Sequence, residues 1–394
     1  MSTTERLYWR DSYLLEFEGR VTGRREHQGR PAVLLDRTAF YAESGGQPWD
    51  TGTLNDVRVN AVIEDGDAIL HVLEAPLDAD EVHGRVDVER RRDHRQQHHG
   101  QHLLSQALVE LKQAPTISFH LGNDACSIDL DREIDAADLK RAETRTNEII
   151  WDARPVTVHT VTRAEAEARG FELDEHVGEA VRLIDVKDFD VRPCGGTHPR
   201  STAEVGLVLT LGLERYKGGS RVHFVCGHRA LRLVHERQQV LDRLCGTLSA
   251  GITELPDVAA KAMERLAASD KRGRELLERA LEGEARKLLA ENPGGVIARC
   301  FDGWPAQDLR TLAQKLTQLQ PCVALLGSRA EKAHVVFAQS EGLPHDVGAL
   351  LKDALLLLNG KGGGRGNLVQ GGGEKKEALD EALAHAARAV EARR

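Results

Sequence analysis

The chain has 394 residues and a formal net charge of -9 at pH 7. This length exceeds one ordinary hydrophobic core, so we expect roughly two to four domains. The acidic balance excludes a protein that coats polyanions indiscriminately, although local basic patches can still bind nucleic acid. The six cysteines are far apart, which excludes a secreted disulfide scaffold. Neither a signal segment nor an apolar stretch long enough for a bilayer is found, so we expect a cytoplasmic protein.

Residues 1–90 are predicted to form a small β-barrel domain. Short apolar, β-prone runs alternate there with Asp-Gly and Gly-Gly turn steps. The runs begin at Tyr13, Pro31, Val57, Ala68 and Glu81. Between them lies a polar loop, FYAESGGQP, which contains Gly45, Gly46 and Gln47. The simplest interpretation of this loop is a tight surface turn.

Residues 91–227 are predicted to form an α+β domain. After Arg90 the apolar spacing becomes helical, with a stripe at Leu103, Leu104, Ala107, Leu108 and Leu111. From about residue 117 to residue 225, strand-like runs mix with helical segments such as residues 136–151. Such a mixture favours helices packed in a layer on a sheet.

The rest of the chain divides into a helical segment and a last domain. Residues 228–292 are rich in Leu, Ala, Glu and Arg with an interruption near Gly246, and a helical hairpin fits this pattern best. Residues 293–394 alternate β-like and helical runs, which predicts an α/β domain, and a glycine-rich segment precedes the last helix. The predicted fold class is therefore α+β multidomain.

Two short motifs each place two metal-binding side chains four residues apart. In HHGQH, His98 and His102 lie one turn apart on the same face if the segment is helical. In CGGTH, two glycines allow the backbone to bring Cys194 and His198 to one point. Three histidines and a cysteine form a set that zinc prefers. A solvated polar helix face and a small buried cysteine are the alternative interpretations.

Two kinds of zinc site are compatible with these ligands. A closed structural site uses all four permanently, whereas a site with three ligands and a position for water can hydrolyse esters or amides. The chain has no Gly-x-Ser-x-Gly motif, which argues against a serine acyl-enzyme. The sequence therefore predicts either metal-assisted hydrolysis or a metal-stabilised binding module.

Two segments have the composition of phosphate-binding loops. Arg215, Lys217 and Arg221 surround a pair of glycines shortly after CGGTH. Lys361, Arg365 and Gln370 lie in the glycine-rich segment, where exposed backbone amides can meet a phosphate. A flexible solvated turn is the alternative for the glycine-rich segment.

Several motifs of the chain together resemble those of a known family. Six motifs occur in the family's order, namely FYAESGGQP, RRDHRQQHHGQHLLSQAL, SFHLG with CSIDLD, PCGGTH, RVHFVCG and GKGGGR with QGGG. They span nearly the whole chain. The chain is similar to the long, stand-alone alanyl-tRNA editing proteins, which are related to the editing and C-terminal domains of alanyl-tRNA synthetase.

The resemblance implies an N-terminal barrel, a zinc-bearing editing domain, a helical segment that forms a homodimer, and a last domain that touches tRNA. The implied reaction is hydrolysis of the ester that joins serine, or glycine, to tRNA(Ala). The implied zinc ligands are His98, His102, Cys194 and His198. Because the barrel begins almost at Met1, we expect no aminoacylation domain and no synthetase activity.

Further residues are expected to contact the substrate. The family places Gly45, Gly46 and Gln47 in a loop near the site, and Thr197 belongs to CGGTH itself. Thr116 and Ser118 are candidates for binding the serine hydroxyl, because a polar pocket strongly penalises a substrate without the matching hydroxyl. The alternative is that both are ordinary polar strand positions.

This chain departs from the family pattern at a few positions. His99 stands where a small hydroxyl residue is usual, so it is either a competing ligand or an exposed ring. Gly366 and Val369 replace the usual Pro and Ala in the glycine-rich segment. Two other functions stay open at this stage: a non-catalytic RNA-binding protein with a structural zinc, and a zinc hydrolase of small esters or amides.

Overall fold

Alternating apolar residues in the first ninety positions build a closed six-stranded barrel. The strands pair in the order β2-β3-β7-β6-β5-β8, and β8 pairs with β2 to close the ring. The elements of this part are β1 (Glu5–Arg6), α1 (Leu7–Arg10), β2 (Glu16–His27), β3 (Arg30–Leu35), β4 (Arg37–Thr38), β5 (Gly52–Leu54), β6 (Val57–Asp65), β7 (Ala68–Leu73) and β8 (Glu81–Val86). Side chains such as Leu35, Phe40 and Ile69 are completely buried in its core.

The computed structural model describes residues 3–173 and 178–392. The chain divides into two compact units between Leu244 and Cys245. This division falls inside a helix of the 228–292 segment, and the four predicted domain ranges stay a prediction. Among the described residues, no helix is both long enough and apolar enough to cross a membrane.

The rest of the first unit is an α+β arrangement built on two antiparallel sheets. The sheets have the strand orders β14-β15-β10-β9 and β11-β12-β13. The elements are α2 (Val88–Lys112), β9 (Thr116–Leu121), β10 (Cys126–Leu130), α3 (Ala136–Trp151), β11 (Val156–Thr162), α4 (Arg163–Ala168), β12 (Ala180–Val186), β13 (Asp190–Pro193), β14 (Val208–Tyr216), β15 (Gly219–Cys226) and α5 (Gly227–Leu248). The predicted α+β class is confirmed.

Helix α2 is the element that carries the HHGQH motif. Asp87 caps the N-terminus of this helix, because its carboxylate accepts hydrogen bonds from the backbone N–H groups of Glu89 and Arg90. Four of the five residues of its predicted apolar stripe, Leu103, Leu104, Ala107 and Leu108, are fully buried in the core that α2 shares with α3 and the four-stranded sheet. The fifth, Leu111, is 40% exposed. The N-terminal half of the helix carries buried polar side chains, and two of them, Arg91 and His98, contact Asp50 and Gln47 of the N-terminal ninety residues.

A buried ion pair fastens α2 to the barrel. The Arg91 guanidinium donates to Asp50 Oδ2 from Nε (3.0 Å) and Nη2 (2.5 Å), and both side chains are at most 1% exposed. Arg91 also donates to the carbonyl oxygens of Ser12 and Ala39. Asp50 Oδ2 accepts a further bond from the backbone N–H of Tyr41. The pair thus fixes the barrel loop that precedes β5 against the start of α2.

The second unit is a five-stranded mixed sheet with helices packed on it. The strand order is β16-β17-β18-β20-β19, in which only the β16–β17 pair is parallel. Its elements are α6 (Leu255–Glu291), β16 (Val296–Asp302), α7 (Ala306–Leu319), β17 (Val323–Arg329), β18 (Ala333–Gln339), α8 (Val347–Leu357), β19 (Gly360–Arg365), β20 (Leu368–Gly373) and α9 (Leu379–Glu391). The helical crossover through α7 allows the parallel β16–β17 pair, whereas the short turns after β17 and β19 reverse the chain and give antiparallel neighbours.

The glycine-rich segment is a β-hairpin rather than a flexible turn. Strands β19 and β20 pair from Gly360 with Gly373 to Arg365 with Leu368. A side chain at Gly371 would lie 2.8 Å from Leu355 of α8, and one at Gly362 would lie 2.5 Å from backbone atoms of β20. The glycines therefore let α8 pack directly on the backbone of the hairpin.

We expect Arg91→Met to lower the free energy of unfolding of the first unit by about 3–5 kcal/mol, because the change leaves the Asp50 carboxylate buried without its partner. Urea unfolding followed by fluorescence measures the effect, and Trp49 next to Asp50 reports locally. The exposed neighbour Arg92→Met is the matched control and should change stability by less than about 0.5 kcal/mol. Equal effects of the two variants would contradict this role for the ion pair.

Candidate metal centre

Four side chains from α2 and from the segment after β13 converge on one point. His98 Nε2 lies 3.2 Å from His102 Nε2 and 3.2 Å from Cys194 Sγ. His198 Nε2 lies 3.3 Å from the same sulfur. The four candidate ligand atoms all lie within 4.8 Å of one another. The two sequence motifs, almost one hundred residues apart, thus form one cluster.

The donor set and its spacing fit a zinc ion. Separations of 3.2–3.3 Å are close to the edge of a tetrahedron with metal–nitrogen bonds of about 2.0 Å. With the ring protons on the outer nitrogens, the three imidazoles present only lone pairs to this point, and the single thiol proton of Cys194 cannot satisfy all of them. A shared cation satisfies all four lone pairs at once.

Burial keeps the histidines of the cluster neutral. It lowers the pKa of His98 to about 3, and it lowers the pKa of His102 and of His198 well below the usual range. Burial also raises the pKa of the Cys194 thiol, while the N–H of Gly196 and nearby arginines act in the opposite direction. Neutral imidazoles offer lone pairs to a cation, and a cation would displace the thiol proton of Cys194.

Gln47 of the predicted loop is the outer partner of His98. Its Oε1 accepts a hydrogen bond from His98 Nδ1 at 2.7 Å. The same oxygen accepts from the backbone N–H of Thr197 at 3.1 Å, and Nε2 donates to Thr197 Oγ1 at 3.0 Å. A proton on Nδ1 leaves the lone pair of His98 on Nε2, which faces the cluster. Gln47 therefore sets the tautomer and orientation of a candidate ligand, and Thr197 holds Gln47.

The glycines before Gln47 allow the loop to reach this position. Gly45 and Gly46 have φ values of +52° and +81°, which side chains rarely adopt. A Cβ on Gly46 would lie 2.7 Å from the ring of Phe119, and this ring lies 5.6 Å from the ring of His98. The loop therefore lies over β9, beside the cluster.

Arg182 holds the backbone of the CGGTH motif and was not anticipated from the sequence. Its Nη1 donates to the carbonyl oxygens of Cys194 and Gly196, both at 2.8 Å, and its Nε donates to the carbonyl of Trp9. The sequence feature that could have indicated this role is the single arginine inside the otherwise largely apolar strand AVRLIDV. A buried charge at such a position needs partners, and here they are carbonyl groups.

The structure places His99 inside the protein. Its side chain is completely buried and lies outside the four-residue cluster, so the expectation of an exposed ring is wrong. Its Nδ1 lies 3.0 Å from Nδ1 of the ligand His198. His99 thus contacts the outer nitrogen of a candidate ligand rather than the point on which the four side chains converge.

The two candidates for the substrate hydroxyl have different surroundings. Thr116 Oγ1 lies 2.6 Å from the hydroxyl of Ser105, which is buried on α2 one turn after His102. Ser118 is exposed, and its hydroxyl donates to Asp129 on β10 at 2.7 Å. Thr116 therefore adjoins the cluster-bearing helix, whereas Ser118 belongs to a surface network.

The predicted RNA-binding residues lie on two hairpins. Arg215 pairs with Glu133 at 3.2 Å, and Arg221 is held in a two-point ion pair with Asp129. Lys217, in the turn between β14 and β15, lies over the ring of Tyr216. In the second unit, three exposed side chains share one face of the β19–β20 hairpin, since their positions alternate or pair across it: Lys361, Arg365 and Gln370.

Three family models match parts of the chain. The tRNA synthetases class II (A) model matches residues 14–90, and the threonyl and alanyl tRNA synthetase second additional domain matches residues 181–223. The DHHA1 domain matches residues 292–392. The first two matches cover the barrel and the CGGTH region of the first unit.

Several curated proteins are similar over nearly the whole chain. The alanyl-tRNA editing protein AlaX-L of Pyrococcus horikoshii is 32% identical, with 96% of this chain and 97% of that protein covered. The alanine–tRNA ligase of Pyrococcus furiosus is 33% identical, with 96% of this chain but 43% of the ligase covered.

One solved structure, the C-Ala domain from Aquifex aeolicus alanyl-tRNA synthetase, is 26% identical. The match covers 24% of this chain and 89% of that chain. Its TM-score of 0.23 is too low to support an argument about the fold.

We expect Gln47→Leu to weaken zinc binding about 10–100-fold, because His98 loses the acceptor that fixes its proton on Nδ1. Competition against a chromophoric chelator measures the affinity. Ser44→Ala, on the same loop, removes a hydroxyl that makes no hydrogen bond in the described part of the chain and should leave the affinity unchanged. An unchanged affinity in Gln47→Leu would contradict the orienting role.

Proposed function

Since this chain belongs to the family of stand-alone alanyl-tRNA editing proteins, we propose that it is a zinc-dependent deacylase that acts in trans on mischarged tRNA(Ala). The proposed substrate is the serine ester, with the glycine ester as a second substrate. The observation that carries the proposal is the convergence of His98, His102, Cys194 and His198 on one point. The proposal includes a cytoplasmic location, because the proposed substrate is a tRNA.

The side chains around the cluster prepare it for ester hydrolysis. A zinc ion held there would act as a Lewis acid toward the ester carbonyl and would lower the pKa of a bound water. Gln47 keeps His98 Nε2 directed inward, and Arg182 fixes the turn that carries Cys194. Burial excludes bulk water from the histidines. The ligands are thus oriented before substrate arrives, which reduces reorganisation during the reaction.

Thr116 is the better placed candidate for recognising the serine hydroxyl. Gln101 Nε2 donates to Ser105 Oγ at 2.8 Å, so the Ser105 hydroxyl can donate in turn to Thr116 Oγ1. The hydroxyl proton of Thr116 is then available to a substrate oxygen. An alanine ester, like a glycine ester, has no oxygen at that position and would leave the polar group unpaired, so this contact favours the serine ester over both and disfavours the correctly charged tRNA. Ser118 already donates to Asp129.

The second unit is proposed to bind the tRNA, with the acceptor end directed to the metal centre. Its support is the face of the β19–β20 hairpin that presents Lys361, Arg365 and Gln370 among glycines. In the first unit, the β14–β15 hairpin carries the basic residues Arg215, Lys217 and Arg221 as further candidates, although Arg221 is engaged by Asp129.

A homodimer through the helical segment is part of the proposal. Helix α6 carries large apolar side chains that are exposed in the single chain: Met263, Leu266, Leu276 and Leu277. A second copy would cover such a face.

We expect His98→Ala and Cys194→Ala each to remove zinc and to lower the hydrolysis of seryl-tRNA(Ala) more than about 100-fold, because each loses a ligand rather than an outer partner. Metal analysis and a deacylation assay with seryl- and alanyl-tRNA side by side measure both effects. Cys245→Ala, on α5, is the matched control and should keep zinc and activity. Full activity in either ligand variant would remove the proposed site.

The same assay separates the two other functions. Zinc bound without turnover would indicate a structural site in a binding protein. Hydrolysis of small esters with no action on seryl-tRNA would indicate a general zinc hydrolase.

We expect the double change of Lys361→Ala and Arg365→Ala to raise the KM for tRNA several-fold with little change in kcat, because it removes two phosphate contacts. The salt dependence of KM should also become weaker. Arg310→Ala with Lys352→Ala removes the same charge from exposed helix positions and is the control. An unchanged KM would exclude this hairpin from RNA binding.

A further inference from the structure

His99 has an unusual position for a residue that is not a ligand. Its ring, carried by α2, is completely buried against His198 at the end of the CGGTH segment. Its Nδ1 is 3.0 Å from His198 Nδ1, with the two ring planes at 82°. Its other nitrogen, Nε2, has no hydrogen-bond partner among the described residues. The contact with His198 is therefore the only polar contact that these residues offer to the His99 ring.

The proton positions of this pair follow from the role of His198. A neutral imidazole carries one N–H, so in a contact between two ring nitrogens one nitrogen donates and the other accepts. If Nε2 of His198 offers its lone pair to a cation, the proton of His198 is on Nδ1. That N–H points at His99 Nδ1, which must then be the acceptor, and the proton of His99 is on Nε2.

The ligands of the cluster have different outer partners. His98 Nδ1 has the amide oxygen of Gln47, whereas Nδ1 of His102 is buried without a hydrogen-bond partner among the described residues. For His198 the acceptor is a neutral imidazole nitrogen rather than a carboxylate. A neutral acceptor orients a ligand without adding negative charge, so the cation keeps more of its Lewis acidity.

We propose that His99 is a positioning residue of the metal centre, which accepts the Nδ1–H of His198 and thereby holds His198 Nε2 toward the cation. This rests on the proposed zinc-dependent function. It assigns a role to a residue at which this chain differs from the usual family pattern. His99 is not one of the four clustered residues, and its Nδ1 contacts His198 instead of the point on which they converge.

The test measures zinc affinity in the full chain by competition with a chromophoric chelator. His99→Phe keeps a ring but removes the acceptor, and we expect it to weaken zinc binding about 10–100-fold. His99→Asn places an amide oxygen at the δ position and should restore the affinity to within a few-fold of wild type. His94→Phe removes another buried histidine of α2, one turn before His98, and should leave the affinity unchanged.

Each outcome decides between positioning and simple packing. Equal affinity in His99→Phe and wild type, or an equal loss in the Phe and Asn variants, would show that His99 only fills space. If His99→Phe does not fold, nitrogen-15 NMR of the wild-type imidazoles decides. The proposal requires protons on His99 Nε2 and His198 Nδ1, and the reverse assignment overturns it. A wild type that binds zinc without deacylating seryl-tRNA would remove the proposed function alone, whereas one that binds no zinc would remove both.

Discussion

The hydrogen bond between Gln47 and His98 is the contact on which the arrangement of the site depends. It joins a barrel loop to the helix that carries two of the four candidate ligands. The same side chain is bonded to Thr197, which lies 150 residues further along the chain, within the motif that carries the other two. One buried amide therefore connects three separate segments. The Arg91–Asp50 ion pair, in which Asp50 follows Gln47 closely in the chain, also joins this loop to α2.

The two pairs of candidate ligands could be predicted from the sequence because the geometry within each pair is local. A spacing of four residues on a helix, and two glycines between a cysteine and a histidine, each define a pair without knowledge of the fold. The outer contacts of His98 and His198 depend on tertiary packing, so no spacing in the sequence predicts them. The hairpin at residues 360–373 could not be predicted from alternating hydrophobicity, because glycines have no side chains that alternate between the two faces of a strand.

The comparisons and the geometry support different parts of the functional argument. Similarity over almost the entire length of an alanyl-tRNA editing protein shows the family. The chain spans less than half of the alanine–tRNA ligase from Pyrococcus furiosus, so the activity of that whole protein is not transferred to it. The geometry adds what a family name does not contain, which is the placement of Thr116 beside Ser105 and of His99 beside His198. The proposed substrate and metal binding thus rest on this chain's own contacts.

The close approach of Gly46 to Phe119 has a consequence for how this chain can evolve. A residue with no side chain occupies a place where a single methyl group would collide with an aromatic ring. Either the loop would have to retreat, and Gln47, which follows directly, with it, or the Phe119 ring, whose centre lies 5.6 Å from that of His98, would have to move. Natural variation at position 46 should therefore be as restricted as at a ligand, although this residue offers no chemical group to the reaction.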